Sequence, residues 1–324
     1  MALRIARRGR CAFANLEHTM WQSGAAAYDK GFGPLTSQAA VPLLEAVHAG
    51  QDVRLLDVAT GPGFVADAAA SLGCQVIGVD FSSEMIELAK PLMEKHEYLT
   101  FLQGDAQELP MATGVFDAVV VAFGLLHLPS PMRCLAEVHR VLKPGGRMAF
   151  TVWQTPAEGT GFKTVVDAIA THGDPSVPLP GGDDVLPFFH FADAAASADA
   201  LADAGFARAS VESRSLPLVA RLETSDDLFQ MFATGTARTR AILERQTEAQ
   251  LAAIRQAIAA GVEACPRGEH GYAQITERFI VDMWRSKSLF LLSSLAALKT
   301  PLRMQTRTSM KAWICSANRA TWSF

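Results

Sequence analysis

Residues 53–80 read VRLLDVATGPGFVADAAASLGCQVIGVD, and this stretch predicts a strand, a glycine turn, a helix and a second strand. The run 53–58 is mostly apolar and rich in β-forming residues, as buried parallel strands are. The turn Gly61-Pro62-Gly63 ends that run, the alanine-rich segment 64–72 has a helical pattern, and 75–79 is apolar again. This alternation of strand and helix predicts an α/β fold with a parallel sheet.

Four residues of this stretch are expected to meet at one edge of the sheet: Asp57, Gly61, Gly63 and Asp80. In an open parallel sheet, ligands bind beyond the carboxyl ends of the strands. Glycines let the backbone approach a ligand closely, and the start of a helix offers unpaired N–H groups. Because a carboxylate can accept hydrogen bonds from two ribose hydroxyls, Asp80 predicts a cofactor of nucleoside type.

The residues alone leave the identity of that cofactor open. Residues 61–66 fit the dinucleotide fingerprint G-x-G-x-x-A, and Asp80 follows Gly63 by 17 residues, near the expected spacing. An NAD-dependent oxidoreductase is therefore one interpretation. However, Asp57 would face a pyrophosphate poorly, whereas it could help to hold the ammonium group of an amino-acid-like ligand, often through water. The sequence Gly104-Asp105-Ala106 also places an acid and a backbone amide after a third apolar run.

Five motifs occur in order: LLDVATGPG (55–63), VIGVDFSSEMIELAK (76–90), GDAQELP (104–110), FDAVVVAFGLLHLPSP (116–131) and EVHRVLKPGGR (137–147). Together they resemble class I S-adenosylmethionine-dependent methyltransferases, and most of all the ubiquinone/menaquinone-biosynthesis type, which includes many small-molecule methyltransferases. The resemblance covers residues 53–153. One departure is Ala59, which stands where the family's D-x-G-x-G-x-G motif usually has its first glycine.

The resemblance implies a three-layer Rossmann-like sheet with an N-terminal helical cap and a helical insertion late in the chain. We expect a basic tail at 1–15 and a methyltransferase domain at 16–275. Within that domain, the cofactor-binding core is expected at 50–153 and the helical insertion at 224–262. Residues 276–324 do not resemble the family's ending, so the seventh strand is uncertain. A helix over 280–298 is one interpretation, and its apolar part, 289–298, would favour a homodimer.

The cofactor implied is S-adenosyl-L-methionine, with S-adenosyl-L-homocysteine as product. The residues that match the family's cofactor positions are Tyr28, Asp57, Ala59, Gly61, Gly63, Asp80, Phe81, Met85, Asp105, Ala106, Ala122 and Phe123. Phe81 and Met85 would sandwich the adenine ring, although apolar residues at these positions could equally belong to the core. Tyr28 would either close over the cofactor or pack on the sheet as a core aromatic.

For the chemistry, His127 is the candidate catalytic residue. A histidine can take a proton near neutral pH, as methylation of a hydroxyl would require. The alternative is a structural histidine that holds its loop through a backbone bond. Phe229, Phe232 and Arg238 are candidate substrate contacts, or else core residues. No metal and no covalent nucleophile are expected, because the sulfonium methyl is already reactive. A non-catalytic cofactor-binding protein is a further alternative, since no catalytic base is unambiguous.

The composition of the chain limits the kinds of partner that we expect it to bind. The chain has 324 residues, 49% hydrophobic and 19% charged, with a formal net charge of −4, which gives no overall attraction to nucleic acid or anionic membranes. No apolar run approaches the roughly 20 residues of a membrane span. Five scattered cysteines suggest reduced thiols and a cytoplasmic protein. The start, MALRIARRGR, is arginine-rich and acid-poor, so it is either a disordered basic tail or a mitochondrial presequence.

We therefore expect an enzyme that transfers a methyl group to a small molecule by in-line displacement. The acceptor is expected to be uncharged and apolar or aromatic, of quinone or secondary-metabolite type. This expectation comes from the family and from the phenylalanines of the second half of the chain. The absence of a basic stripe with interleaved aromatic residues argues against a nucleic-acid substrate.

Overall fold

The computed structural model describes residues 12–157, 160–177, 185–268 and 272–285. Its helices are α1 (Ala12–Lys30), α2 (Gly33–Thr36), α3 (Ala40–Ala46), α4 (Phe64–Ser71), α5 (Ser83–Ala89), α6 (Pro131–Val141), α7 (Gly161–His172), α8 (Ala194–Asp203), α9 (Asp227–Gly235), α10 (Arg238–Leu243) and α11 (Glu248–Glu263). Its strands are β1 (Arg54–Val58), β2 (Gln75–Asp80), β3 (Leu99–Gln103), β4 (Phe116–Ala122), β5 (Leu142–Trp153), β6 (Val211–Leu222) and β7 (Ala273–Arg285).

The seven strands form one sheet in the order β3-β2-β1-β4-β5-β7-β6. Strands β1 to β5 pair with one another in parallel, and β7 lies antiparallel between β5 and β6. The order reverses between β1 and β4, because the chain first builds outward to β3 and then returns to the other side of β1. Ligands bind at such a switch point, beyond the carboxyl ends of the strands.

Successive strand residues supply two separate cores, one on each face of the sheet. Leu55, for example, is fully buried in one core, and its neighbour Leu56 is fully buried in the other. Buried residues of α3, α4, α7, α9 and α11 belong to the first core, and those of α6 and α8 belong to the second. The predicted α/β fold with helices on both faces is therefore confirmed.

Helix α1 lies over the carboxyl ends of the strands and joins the cofactor core to the late helices. It contacts α5 on one side and α9 on the other. The Gln22 side chain donates to Ser83 Oγ at 2.8 Å and accepts from Ser82 Oγ at 2.5 Å, at the start of α5. Ser82 is also the N-cap of α5, and its hydroxyl accepts from the Met85 N–H. The cap predicted for the N-terminal region is thus fixed to the loop that follows β2.

The seventh strand is present, which resolves the uncertainty about the end of the domain. The boundary that we expected at residue 275 falls inside β7, and a helix that begins at residue 280 is wrong for residues 280–285. The strand pairs with a neighbour on each side: Thr151 of β5 and Arg214 of β6 both face Val281. The rest of the proposed terminal helix lies outside the described residues, as does the arginine-rich start of the chain.

Two acids inside β7 weaken its apolar pattern, and each has a partner in the folded protein. Glu277 is 5% exposed and accepts from the Phe162 N–H at 2.7 Å, at the start of α7. Burial raises the pKa of this carboxyl to about 7. Asp282 is fully buried and accepts from the Ser213 hydroxyl of β6. Charged residues at these positions made the strand hard to predict, because their partners are distant in sequence.

No helix among the described residues is long and apolar enough to cross a membrane.

Two non-glycine residues at the strand ends have left-handed backbone. Ala59, after β1, has φ 56°, and Phe123, after β4, has φ 53°. Left-handed backbone costs an alanine roughly 1–2 kcal/mol, so the surrounding structure must hold Ala59 in place. Gly124 makes room for it, because a Cβ atom at position 124 would lie 2.6 Å from the Ala59 Cβ. The departure from the family's glycine at 59 is therefore accommodated by a glycine on the neighbouring loop.

This contact predicts coupling between the two positions. We expect Gly124→Ala to destabilise the protein by about 1–3 kcal/mol through overpacking. Adding Ala59→Gly should recover part of that loss, because it removes the colliding methyl; the added Cβ would still lie 3.0 Å from Val121 Cγ1. Urea unfolding of both single variants and the double variant measures the coupling. Gly50→Ala is the control, since its Cβ would meet nothing within 4 Å. Additive effects would contradict the steric explanation.

Candidate active site

Two carboxylates lie at the carboxyl ends of the adjacent strands β1 and β2. Asp57 is fully buried, and Asp80 is 5% exposed. The Thr60 hydroxyl donates to Asp57 Oδ2 at 2.7 Å. The two oxygens of Asp80 accept from the backbone N–H groups of Ser82 and Gly61, both at 2.9 Å. These bonds fix the orientation of Asp80, and each of its oxygens keeps a second lone pair for a ligand hydroxyl.

Burial changes the titration of both acids. It raises the pKa of the Asp57 carboxyl to about 7, and Thr60 offsets only part of that effect. It raises the pKa of Asp80 to about 6, although the Ser82 and Gly61 N–H groups favour the charged form. While no cation is beside it, the charged form of each carboxyl is unfavourable, because burial removes the charge from water. A ligand with a positive group would relieve this cost.

The geometry fits a ligand that carries both an ammonium group and a ribose. Asp57 Oδ1 is buried and accepts no hydrogen bond from the described residues, so one acceptor remains for a donor from outside them. Gly61 has φ 54°, and a Cβ atom there would meet nothing within 4 Å, which leaves open space beside the turn. At Gly63 a Cβ atom would lie 2.8 Å from the Phe101 ring, so only glycine allows the turn to pack this closely. A dinucleotide, by contrast, would place its negatively charged pyrophosphate beside the Asp57 carboxylate.

The residues after β2 and β3 flank this position. Phe81 is half-buried, and its ring meets that of His18 from α1 edge-on, with 5.6 Å between the centroids. Met85 is 3% exposed. Asp105 is exposed, and its Oδ1 accepts from the Gln107 N–H at 2.8 Å, so it shapes the turn after β3. Ala106 is 7% exposed and belongs to the second core.

The loop after β4 closes the other side of the site. Phe123 donates its N–H to Thr151 Oγ1 at 3.0 Å, and its ring stacks on Trp153 with 4.4 Å between the centroids. These contacts hold the left-handed backbone at Phe123. Ala122, the last residue of β4, is half-buried beside it. The backbone at 122 and 123 therefore lies beside the switch point between β1 and β4.

A buried acid that the sequence analysis did not single out organises the region above this loop. Glu17 of α1 is 1% exposed, and its carboxylate forms hydrogen bonds with three side chains. Trp21 Nε1 donates at 2.9 Å and Arg238 Nε at 3.2 Å, and His127 Nδ1 lies at 3.0 Å. Arg238 also donates to the carbonyl oxygen of Leu126. One carboxylate thus joins the cap, the loop after β4 and helix α10.

Aromatic side chains pack on one another between the cap and the strand ends, and we call this cluster the aromatic wall. The Trp21 ring meets those of His127 and Tyr28 edge-on, at 4.8 and 5.4 Å. Tyr28 bonds Thr36 through its hydroxyl, at 3.0 Å, and burial raises its pKa to about 12. Phe32 connects this group to Phe232 of α9, at 5.2 Å. Further rings continue the wall: Phe162, Phe188 and Phe189.

The three candidate substrate contacts fall in different places. Phe232 is 2% exposed inside the aromatic wall, and Arg238 bonds Glu17. Phe229 is 6% exposed, and the Arg255 guanidinium of α11 lies 5.3 Å above its ring, so it packs between α9 and α11. Phe229 and Phe232 are three positions apart on one helix, but they contact different neighbours. The spacing alone therefore does not show that both contact a substrate.

Glu17, Gln22 and Thr60 carry hydrogen bonds of the site, and sequence reasoning missed all three. Thr60 lies inside the glycine turn, where its hydroxyl could have been noticed as a partner for Asp57. The sequence contains no comparable signal for Glu17, because its partners are four, 110 and 221 residues away. Only the packing of α1 shows that this acid is buried.

Within the described ranges, no group of three or more His, Cys, Asp or Glu residues could hold a metal ion. Among the cysteines that the structure describes, Cys74, Cys134 and Cys265 are free thiols. Burial raises the pKa of Cys74 and of Cys134, which makes both poor nucleophiles.

Residues 56–150 match the family model described as "Methyltransferase domain". Demethylmenaquinone methyltransferase from Renibacterium salmoninarum is 38% identical to this chain over 123 residues, which are 38% of this chain and 50% of that protein. The chain spans half the length or less of the first curated relatives that it matches. The matched part covers β1 to β5 and contains the glycine turn and both buried acids.

Two solved structures share the fold at low identity. The YcgJ protein from Bacillus subtilis has a TM-score of 0.50 and 18% identity, covering 77% of this chain and 98% of that one. Phospholethanolamine N-methyltransferase 2 from Haemonchus contortus was solved with phosphomonomethylethanolamine and S-adenosylhomocysteine. It has a TM-score of 0.51 and 16% identity, covering 86% of this chain and 61% of that one. These likenesses confirm the fold class.

The raised pKa of Asp57 predicts how stability depends on pH. The folded protein binds this proton more tightly than the unfolded chain, so the stabilising contribution is complete below about pH 4 and is lost as the pH rises through about 7. Asp57→Asn removes the buried charge, so at about pH 8 the ligand-free variant should be more stable than the wild type, by up to about 4 kcal/mol. Near pH 4 the difference should vanish.

Thermal unfolding across this pH range measures the effect. Asp203→Asn is the control, because Asp203 is an exposed acid of α8 and its charge remains in contact with water. A variant that is less stable than the wild type at alkaline pH would refute a buried, uncompensated charge at Asp57.

Proposed function

We propose that the protein is an S-adenosylmethionine-dependent methyltransferase, because residues 56–150 match the family model described as "Methyltransferase domain". The observation that carries the proposal is the buried, unpartnered Oδ1 atom of Asp57 beside a glycine turn and a second buried acid. An ammonium group supplies the donor that this oxygen lacks. A nicotinamide dinucleotide has no such group and would place its pyrophosphate near the same acid, so the geometry favours the methyl donor.

Different residues would bind different parts of the cofactor. Asp80 would accept from the two ribose hydroxyls, while Asp57 would hold the ammonium group, directly or through water. The turn at Gly61 and Gly63 would let the backbone lie against the ligand. Phe81 and Met85 would enclose the adenine ring, and the turn at Asp105 and Ala106 would meet its edge. The backbone of Ala59, Ala122 and Phe123 would line the methionine part, with Tyr28 closing from the cap.

When bound, S-adenosylmethionine supplies an activated methyl group on a sulfonium. The protein's contribution is to position an acceptor in line with that methyl, to exclude water and to remove a proton where the acceptor carries one. His127 is the residue we assign to the proton. Its ring lies between Trp21 and Phe188, at 4.8 and 6.2 Å. The positive charge that His127 would carry after taking the proton lowers the pKa of Asp80, so the ring lies within electrostatic reach of that acid.

We assign the acceptor to small apolar or aromatic molecules, of quinone or secondary-metabolite type. The support is the aromatic wall, in which Trp21 and Phe188 are half-buried while Phe32, Phe162 and Phe232 are buried. A flat apolar acceptor would stack on the two half-buried rings and bury little polar surface. The name of the Renibacterium salmoninarum relative agrees with an acceptor of this chemistry.

Binding of the cofactor is the first test. Calorimetric titration with S-adenosylmethionine, S-adenosylhomocysteine and NAD(H) should show binding of the two adenosyl compounds only. Asp80→Ala should weaken that binding by about 100-fold, because it removes two charge-assisted hydrogen bonds. Asp67→Asn, on the neighbouring helix, should bind as the wild type does. If only NAD(H) binds, the oxidoreductase interpretation replaces ours.

Transfer is the second test. The wild type, incubated with methyl-labelled S-adenosylmethionine and a panel of naphthohydroquinones and substituted phenols, should form a labelled product. His127→Asn should lose about 10²- to 10⁴-fold of that activity with unchanged cofactor affinity, as expected for loss of a general base. Cofactor binding without transfer to any member of the panel would refute this acceptor class.

A further inference from the structure

The Glu17 carboxylate is the acceptor for three separate donors, and one of them is the candidate base. Glu17 Oε2 receives hydrogen bonds from Trp21 and His127, and Oε1 receives one from Arg238. The acid is 1% exposed, so water does not compete for these bonds. Arg238 is held in turn by the rings of Phe13 and Phe188, which lie 4.7 and 5.3 Å from its guanidinium carbon. The position of the carboxylate is therefore fixed from several sides.

This arrangement decides which nitrogen of His127 carries the proton. An ionised carboxylate only accepts hydrogen bonds, so the nitrogen that faces it must donate. That nitrogen is Nδ1, at 3.0 Å from Glu17 Oε2. A neutral imidazole carries one proton, which leaves Nε2 with a free lone pair. No described residue forms a hydrogen bond with Nε2, and the His127 side chain is 20% exposed, so this lone pair remains available to a ligand.

A second histidine in the chain has the opposite arrangement. His96 bonds its carboxylate partner, Asp67, through Nε2 at 2.7 Å, and its side chain is 19% exposed, almost as His127 is. There the outer nitrogen of the ring is occupied by the acid, and the partner is a half-exposed residue of α4. The pair Glu17–His127 differs because the acid is buried behind the ring and the outer nitrogen is left for the site.

We propose that Glu17 is a positioning residue that holds His127 in its Nδ1–H tautomer, so that Nε2 takes the proton of a neutral aromatic hydroxyl as the acceptor oxygen is methylated. This inference rests on the proposed function. It commits the acceptor to a phenol or hydroquinol that is still protonated when it binds, because an acceptor that is already ionised would need no base.

The step balances in bonds and in charge. A bond forms between the acceptor oxygen and the methyl carbon, and the carbon–sulfur bond breaks, with its electron pair left on sulfur. The O–H bond of the acceptor breaks, and its proton goes to Nε2. Sulfur thereby loses one positive charge, and the imidazole gains one. Glu17 lies against that imidazolium, where its negative charge stabilises the product of the proton transfer.

Glutamine cannot replace Glu17 in this role. Its side-chain amide has one oxygen and two N–H groups, whereas the site presents donors to both oxygens of the acid. If the amide oxygen faces Arg238, an N–H group faces His127 and favours the other tautomer. If the oxygen faces His127, an N–H group meets the Arg238 donor. Glu17→Asp keeps the carboxylate one methylene shorter, so it should retain part of the effect.

Nuclear magnetic resonance of ¹⁵N-histidine-labelled protein reads the tautomer without cofactor or acceptor. At alkaline pH the wild type should show a His127 signal with the proton on Nδ1, identified by its loss in His127→Asn. Glu17→Gln should move this signal toward the Nε2–H form, and Glu17→Asp should leave it largely in place. Asp67→Asn, as the matched control, should change only the signal of His96.

Kinetics then separate positioning from mere support of the fold. With phenols that are neutral at the assay pH, Glu17→Gln should lower kcat by at least about tenfold, with the KM for the cofactor unchanged. With nitrophenols, which are ionised at the assay pH, the same variant and His127→Asn should lose less than about threefold. Loss of the local structure would lower both classes of acceptor equally, so the ratio between them is the decisive quantity.

The outcomes separate this proposal from the proposed function. Failure to bind S-adenosylmethionine would overturn the function, whatever the tautomer of His127. An Nε2–H signal in the wild type, or a signal that Glu17→Gln leaves unchanged, would overturn the role of Glu17 even in an active methyltransferase. Equal losses for neutral and ionised phenols would also overturn it, because no proton transfer would then depend on Glu17.

Discussion

Burial of two acids at the ends of adjacent parallel strands is the constraint on which the rest of the structure depends. Asp57 and Asp80 face the switch point of the sheet, where charge is unfavourable until a ligand compensates it. The chain supplies some compensation itself, through the Thr60 hydroxyl and through two backbone N–H groups. One oxygen of Asp57 receives no hydrogen bond from the part of the chain that the structure describes. The protein thus gives up stability at the position where we propose that the cofactor binds.

A third buried acid, Glu17, lies in the cap above the strand ends, and its charge is compensated differently. Glu17 is as deeply buried as Asp57, but all of its compensation comes from the chain, through Trp21, His127 and Arg238. A satisfied buried acid rigidifies what it joins, and here it joins the cap, a loop and a late helix. At Asp57 we propose that a ligand supplies the missing donor. The two acids thus have different proposed roles, positioning for Glu17 and binding for Asp57.

Backbone strain also occurs at the strand ends, close to these acids. Ala59 and Phe123 hold left-handed backbone on either side of the switch point, and packing against Gly124 and Trp153 keeps them there. Such positions persist only where the surroundings over-determine them, and they concentrate at functional sites. The two loops therefore form one packed unit, and β7, pairing with both β5 and β6, completes the sheet that supports it.

By itself, the sequence determined the local order of strands and helices, the glycine turn and the acids that end β1 and β2, because strand periodicity and turn chemistry act over a few residues. It did not determine β7, whose acids find partners on α7 and β6 only after folding. Nor did it separate Phe232 from Phe229, which lie on one helix but meet different neighbours. Glu17 became part of the site only when α1 packed across the strand ends. Tertiary structure decided these points because burial and long-range hydrogen bonding depend on residues that are far apart in the chain.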